Sequence, residues 1–122
     1  MSMSKKIVLA EDNSALSMLL KFKLEKEKFE VFIAEDGESA LELIKLNDPD
    51  IILTDIMMPF VSGLELISYV RNKLNKKIPI LVFSAAGQEK IVLQAFDIGA
   101  NDFMSKPISV NELLIRIRRL LA

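Results

Sequence analysis

The chain has 122 residues, 51% of them hydrophobic and 27% charged, with a formal net charge of −1. That length suggests one domain, and that balance suits a globular protein with a core of its own. It has no cysteine and no histidine, which excludes disulfides, thiolate metal sites and imidazole acid–base chemistry. The near-zero charge gives no general reason to expect nucleic-acid or anionic-membrane binding.

The opening MSMSKK lacks the apolar stretch of a secretory leader, and no apolar run approaches the roughly 20 residues a membrane span requires. The expectation is a cytoplasmic protein, a single domain over residues 1–122 with 1–5 disordered. In chain order, a short apolar run, Ile7–Ala10, reads as the first strand, and Leu16, Leu19, Leu20 and Leu24 form a helical face after it. Val31–Ala34 is the second strand, followed by Ala40, Leu41 and Ile44 at helical spacing. Ile51–Thr54 is the third, followed by Leu64, Ile67, Val70 and Leu74. Ile80–Phe83 is the fourth, followed by Ile91, Val92, Ala95 and Phe96. Asp102–Ser105 is the fifth, and Leu113, Leu114, Ile117 and Leu121 close the chain. Turn chemistry marks several boundaries: Asp36-Gly37, Asp48-Pro49, Gly63, Pro79, Gly99 and Pro107.

Strict strand–helix alternation predicts an α/β fold with helices on both faces of a parallel sheet. The third and fourth runs are apolar throughout, as central strands are, and the second is the candidate edge. The expected architecture is a doubly wound five-stranded sheet of order 2-1-3-4-5 flanked by five helices, with ligands beyond the strands' carboxyl ends at the switch point. At that edge stand Glu11 and Asp12 after the first strand, Asp55 after the third, Ser84 after the fourth, and Lys106 with Pro107 after the fifth.

Three neighbouring carboxylates repel one another unless a cation neutralises them. Oxygen donors with room for water suit Mg²⁺. An aspartate beside such a cation is a nucleophile toward phosphorus, and a metal, a lysine and a hydroxyl are the groups that stabilise charge on a transferring phosphoryl group. The residues therefore point to phosphoryl transfer onto Asp55.

The acidic pair Glu11-Asp12, the segment DIMMPFVSG from Asp55 to Gly63, FSA from Phe83 to Ala85 and FMSKP from Phe103 to Pro107 together resemble the receiver domains of two-component response regulators (CheY-like). The resemblance covers nearly the whole chain, from Lys6 to about Leu121. It implies that Asp55 is the phosphoacceptor, taking its phosphoryl group from a histidine kinase or a phosphotransfer protein. It implies Asp12, Asp55 and the backbone carbonyl of Met57 as direct Mg²⁺ ligands, with Glu11 acting mainly through bound water. Lys106 would contact the phosphoryl oxygens and Pro107 would be a cis-proline. Ser84 would be the switch hydroxyl, and Phe103 the switch aromatic, here without the hydroxyl of a tyrosine. The output partner, a domain or separate target, would engage the face of the fourth helix, fifth strand and fifth helix. Asp102 and Arg116 on that face offer charge pairs for a two-fold homodimer, although Val92 stands where relatives that dimerise this way often carry a base.

Other readings attach to the same residues. Asp55 alone reads as a turn residue, Glu11-Asp12 and Ser84 as helix caps, Met58 as core filling, and Pro59 and Gly63 as turn geometry. The basic RIRRLL segment reads as a solvated helix face, with no nucleic-acid role. An aspartate-nucleophile phosphatase would place a second aspartate two positions beyond the first, where this chain has Met57. A flavin or dinucleotide carrier would need a glycine-rich turn in place of EDNSA. A receiver that signals by binding alone, without phosphorylation, would lack one of the site residues.

Overall fold

A computed structural model describes residues 4–122. The segment 1–3 lies outside the described residues, and with it most of the stretch expected to be disordered. Lys5 is tied to the sheet: its carbonyl accepts from the Glu30 amide at 2.9 Å. The elements are β1 (Lys6–Ala10), α1 (Ser14–Lys26), β2 (Glu30–Ala34), α2 (Gly37–Asn47), β3 (Ile51–Asp55), α3 (Gly63–Ser68), β4 (Ile80–Ser84), α4 (Glu89–Ile98), β5 (Asp102–Ser105) and α5 (Val110–Leu121). All pairings are parallel and the order is β2-β1-β3-β4-β5. This is the doubly wound CheY-like fold expected from the alternation of strands and helices.

Period-two alternation sorts the strand residues onto two cores. Val8, Ala10, Ile52, Ile80 and Val82 face one way and meet Ala40 and Ile44 of α2, Leu66 and Ile67 of α3, and Val92 and Ala95 of α4. Ile7, Leu9, Ile51, Leu53, Leu81 and Phe83 face the other way and meet Leu20 and Leu24 of α1 with Leu113 and Ile117 of α5. Every residue of β3 and β4 is buried, as covered central strands require, and β2 and β5 are the edges.

Four of the five helices begin on a side-chain cap. Asn13, Asp36, Ser62 and Ser109 each accept from the amide three residues on, satisfying one of the donors a helix start leaves free. Asn13 thus takes the capping role that Glu11-Asp12 would otherwise fill. The inner stripe of α1 is Ser17, Leu20 and Leu24; Leu19, expected inside, is half exposed. Ser17 fits because its hydroxyl donates to the Ser14 carbonyl at 3.2 Å, leaving no unpaired donor.

The third helical segment departs from a regular α-helix. After Ser68 it widens into a π-helical turn over Tyr69–Lys73, closed by Leu74 N–H donating to the Tyr69 carbonyl at 3.0 Å. Among the described residues no helix is long and apolar enough to cross a membrane.

Asp102 binds two arginines of its own chain. Its Oδ1 lies 2.8 Å from Arg116 Nη1 and its Oδ2 3.2 Å from Arg119 Nη2. The pair read from the sequence as a bridge between protomers is closed here within one molecule, between β5 and α5.

Candidate phosphorylation site

The strand ladder builds the site. Asp55 pairs in register with Phe83, and Ser84 with Ser105, so Asp55 and Ser84 are the last residues of β3 and β4 rather than the first beyond them. Backbone bonds carry the ladder past those ends: Ile56 N–H donates to the Phe83 carbonyl at 2.9 Å and Lys106 N–H to the Ser84 carbonyl at 2.8 Å. Glu11 N–H is held in the same way by the Ala34 carbonyl at 2.9 Å. The sheet thereby delivers Glu11, Asp55, Ser84 and Lys106 to one edge.

Lys106 is the centre of the charge arrangement. Its Nζ lies 2.6 Å from Asp55 Oδ2 and 2.8 Å from Glu11 Oε1. Glu11 is fully buried and Asp55 nearly so, while Asp12 is exposed. Glu11 Oε2 accepts from the Asn13 amide at 3.1 Å, and Asp55 Oδ1 accepts from the Met57 amide at 3.2 Å. Glu11 Oε1 meets Lys106 as an ion contact, but no hydrogen-bond donor points straight at it. Burial pushes the Glu11 carboxyl above its ordinary value; the close Lys106 ammonium and the Asn13 hydrogen bond pull it back, and the Asp55 charge adds to the rise. Burial alone would lower the Lys106 ammonium, but its hydrogen bond to Asp55 and its ion contact with Glu11 together outweigh that and hold it above the usual lysine value.

Glu11, Asp12 and Asp55 each offer a carboxylate oxygen, and these oxygens lie within 4.8 Å of one another. Three carboxylates against one ammonium leave an excess of negative charge. With an oxygen-only donor set, one exposed wall for entry and a buried Glu11 oxygen lacking an aligned donor, the residues fit a hard divalent cation that keeps part of its water. Glu11, expected to act mainly through water, also makes a direct ion pair with Lys106.

The β3–α3 loop shapes the rim. Gly63 N–H donates to the Ile56 carbonyl at 3.0 Å, and a Cβ on Gly63 would stand 2.6 Å from the Asp55 carbonyl oxygen. Glycine at that position is what lets the start of α3 fold back against the backbone of Asp55. Thr54, unremarked in the sequence, anchors the same corner: its buried hydroxyl donates to the Asp55 carbonyl at 2.9 Å and touches Met58 Sδ at 3.9 Å. Met58 packs against the core as expected, whereas the Met57 side chain is 50% exposed at the rim.

Phe60 in this loop is 85% exposed and adopts a left-handed φ of 67°. A bulky L-residue there costs roughly 1–2 kcal/mol, part of which glycine would give back as unfolded-state entropy. Phe60→Gly is therefore expected to raise the unfolding free energy by about 0.5–1 kcal/mol. Urea denaturation checks this, and an unchanged or lower midpoint would show that the ring makes stabilising contacts.

Ser84 and Phe103 border a separate cavity of about 270 Å³ between α4 and β5, whose other walls include Glu89, Val92, Leu93 and Phe96. Phe103 is 39% exposed and meets Phe96 edge-on, ring centres 6.0 Å apart. Ser84 does not cap α4; Gln88 stands at the cap position. The Lys106–Pro107 peptide is cis, as the resemblance implied.

The family model described as the response regulator receiver domain matches residues 7–118. The chain belongs to the response regulator receiver domain family. Solved structures place the receiver domain among close structural relatives. It is similar to the receiver domain of Francisella response regulator 1452, with 32% identity over 97% of each chain and a TM-score of 0.88. It is similar to a CheY-like receiver domain protein from Methanospirillum hungatei JF-1, with 26% identity, 97% of this chain and 94% of that chain covered, and a TM-score of 0.91. A receiver domain of a signal transduction histidine kinase from Syntrophus aciditrophicus shares 27% identity, with 97% of this chain and 90% of that chain covered, and a TM-score of 0.86.

Proposed function

We propose that this receiver domain, one domain over residues 1–122, accepts a phosphoryl group on Asp55 from a phosphohistidine of a histidine kinase or phosphotransfer protein. It passes the signal to a partner on the α4–β5–α5 face. The observation that carries this reading is the Asp55 carboxylate, almost buried at a strand end, held 2.6 Å from Lys106 Nζ and clustered with Glu11 and Asp12. A carboxylate oxygen of Asp55 attacks phosphorus, the bond from phosphorus to the donor breaks, and the donor's atom takes the electron pair.

Each neighbour has a role in that step. Asp12, Asp55 and the Met57 carbonyl would hold Mg²⁺ directly, and Glu11 would hold it through water. When bound, the ion supplies positive charge to the phosphoryl oxygens. Lys106 stabilises those oxygens as charge develops on them. Ser84 is the hydroxyl that approaches the transferred group, Phe103 repacks toward the cavity beside it, and Pro107 sets the turn that aims Lys106. The protein is in this reading a cytoplasmic signalling phosphoacceptor rather than an enzyme with a substrate to turn over, although it assists its own phosphorylation and dephosphorylation.

Acetyl phosphate with Mg²⁺ should add one phosphoryl mass to the wild-type protein and none to Asp55→Asn, as read by intact-mass spectrometry. Equal addition to both would move the acceptor elsewhere.

A further inference from the structure

The two ends of α4 are held in opposite ways. At the start, Ala85, Ala86 and Gly87 are exposed, and Gly87 has a φ of 87° with nothing within 4 Å of where a Cβ would lie. Gln88 makes no side-chain bond into the helix it precedes; its Oε1 accepts from the Ala85 amide at 2.7 Å instead. Beneath the first turns lies the cavity of about 270 Å³ bordered by Ser84, Val92 and Phe103. The helix start is thus uncapped, hinged on a free glycine, and set over open space.

The far end is stapled. Gly99 and Ala100 donate their amides back into the helix, and Asn101 N–H donates to the Ile80 carbonyl at 2.8 Å. Arg71 then reaches over from the π-helical turn. Its Nε and Nη2 donate to the Gly99 carbonyl at 3.1 and 2.9 Å. Nη2 also donates to Asn101 Oδ1 and Nη1 to the Lys76 carbonyl, each at 2.9 Å. Asn101 Oδ1 in turn accepts from Ile80 N–H at 2.8 Å, tying the group to β4. None of these acceptors is a carboxylate, so the cation is spent on the negative end of α4 and the loops beside it. The π turn contributes directly. Its wider closure is followed by Lys76 N–H donating to the Val70 carbonyl at 3.0 Å, which folds the Lys76 carbonyl back under the guanidinium.

We propose that Arg71 makes the C-terminal end of α4 the stationary end of a pivot, so that a pull on the Ser84–Gly87 segment swings the first two turns of α4 over the cavity while Ile98–Asn101 stay fixed. The inference rests on the reading of Asp55 as phosphoacceptor, since phosphorylation is what would draw Ser84. A rod with one end pinned and the other on a glycine converts a short displacement at the site into a graded one along the helix, greatest at Glu89 and least at Ile98. The surface that changes is then the α4 segment Glu89–Phe96, not the α3–α4 side.

Backbone amide hydrogen exchange along α4, with and without beryllofluoride and Mg²⁺, tests this. In the wild type the activation-linked change should be greatest at Glu89 and fall along the helix through Phe96, with residues 98–101 altered by less than about twofold. In Arg71→Gln, residues 98–101 should exchange about tenfold faster in both states, and the activation-linked change should spread over the whole helix. Phosphorylation of Asp55 by acetyl phosphate should proceed as in the wild type. A change spread evenly along wild-type α4 would overturn the pivot without any variant, and so would an Arg71→Gln protein that keeps the wild-type pattern. Wild-type protein that takes up no phosphoryl mass would overturn the Asp55 reading itself and the pivot with it.

Discussion

Lys106→Met is expected to slow phosphoryl uptake from acetyl phosphate by about a hundredfold and to destabilise the fold by about 1–3 kcal/mol. Methionine keeps most of the lysine stem and its packing, so the change removes charge more than volume. In the native protein one ammonium lies 2.6 Å from Asp55 and 2.8 Å from Glu11. Without it two carboxylates face each other, one of them fully buried. Removing one member of a buried ion pair costs about 3–5 kcal/mol when water cannot reach the remainder. Here the Lys106 side chain is 26% exposed and Asp12 opens the site to solvent, so the lower figure applies. The kinetic loss has a separate origin: the cation that would meet the growing charge on the phosphoryl oxygens is gone. Intact-mass time courses read the rate, and urea unfolding reads the stability. A variant that loses stability but takes up phosphoryl groups at the wild-type rate would make Lys106 a structural ion-pair partner only.

The parts of this site that the sequence made legible share one property: they stand at strand ends. In a parallel sheet wound by right-handed crossovers, neighbouring strands finish on the same edge. A polar residue that ends an apolar run is therefore brought to that shared edge by topology. That is why Glu11, Asp55, Ser84 and Lys106 are legible in the sequence as one group. Residues whose role depends on a turn's local geometry were not legible. Leu64, Ile67, Val70 and Leu74 are spaced as in a regular helix, and the added residue of the π turn hides in that pattern. Arg71 bonds to two backbone carbonyls and an asparagine, acceptors that carry no signature of a partner. Thr54 looks like any β-branched strand residue until its hydroxyl is seen on the Asp55 carbonyl. Asp102 and Arg116 are recognisable as complementary charges, but only the adjacency of β5 and α5 shows that they meet within one chain.

Met57→Asn is expected to shorten the life of the phosphorylated protein by roughly tenfold, a change of about 1.4 kcal/mol in the barrier. Hydrolysis needs a water in line with the bond between phosphorus and the Asp55 carboxylate, on the side away from that carboxylate. The family resemblance implies that the side chains two positions after Asp55 and two after Ser84, here Met57 and Ala86, would flank that approach. Met57 is half exposed at the rim and Ala86 is exposed, so both are open to solvent. A thioether is a weak acceptor and cannot donate, and a methyl group offers neither. The chain has no histidine to take the proton. Positioning supplies much of the catalysis in phosphoryl transfer, and this site lacks a side chain to provide it for water. The wild-type phosphoryl group should accordingly be long-lived, its removal left to a separate phosphatase. An asparagine at this position has both a donor and an acceptor to hold the water in line. The experiment loads both proteins with acetyl phosphate, removes the donor, and follows the phosphorylated mass with time. Equal decay in the two would mean that water positioning at this residue does not limit hydrolysis, and the slow step would then have to lie with access to phosphorus past Lys106 and the metal site.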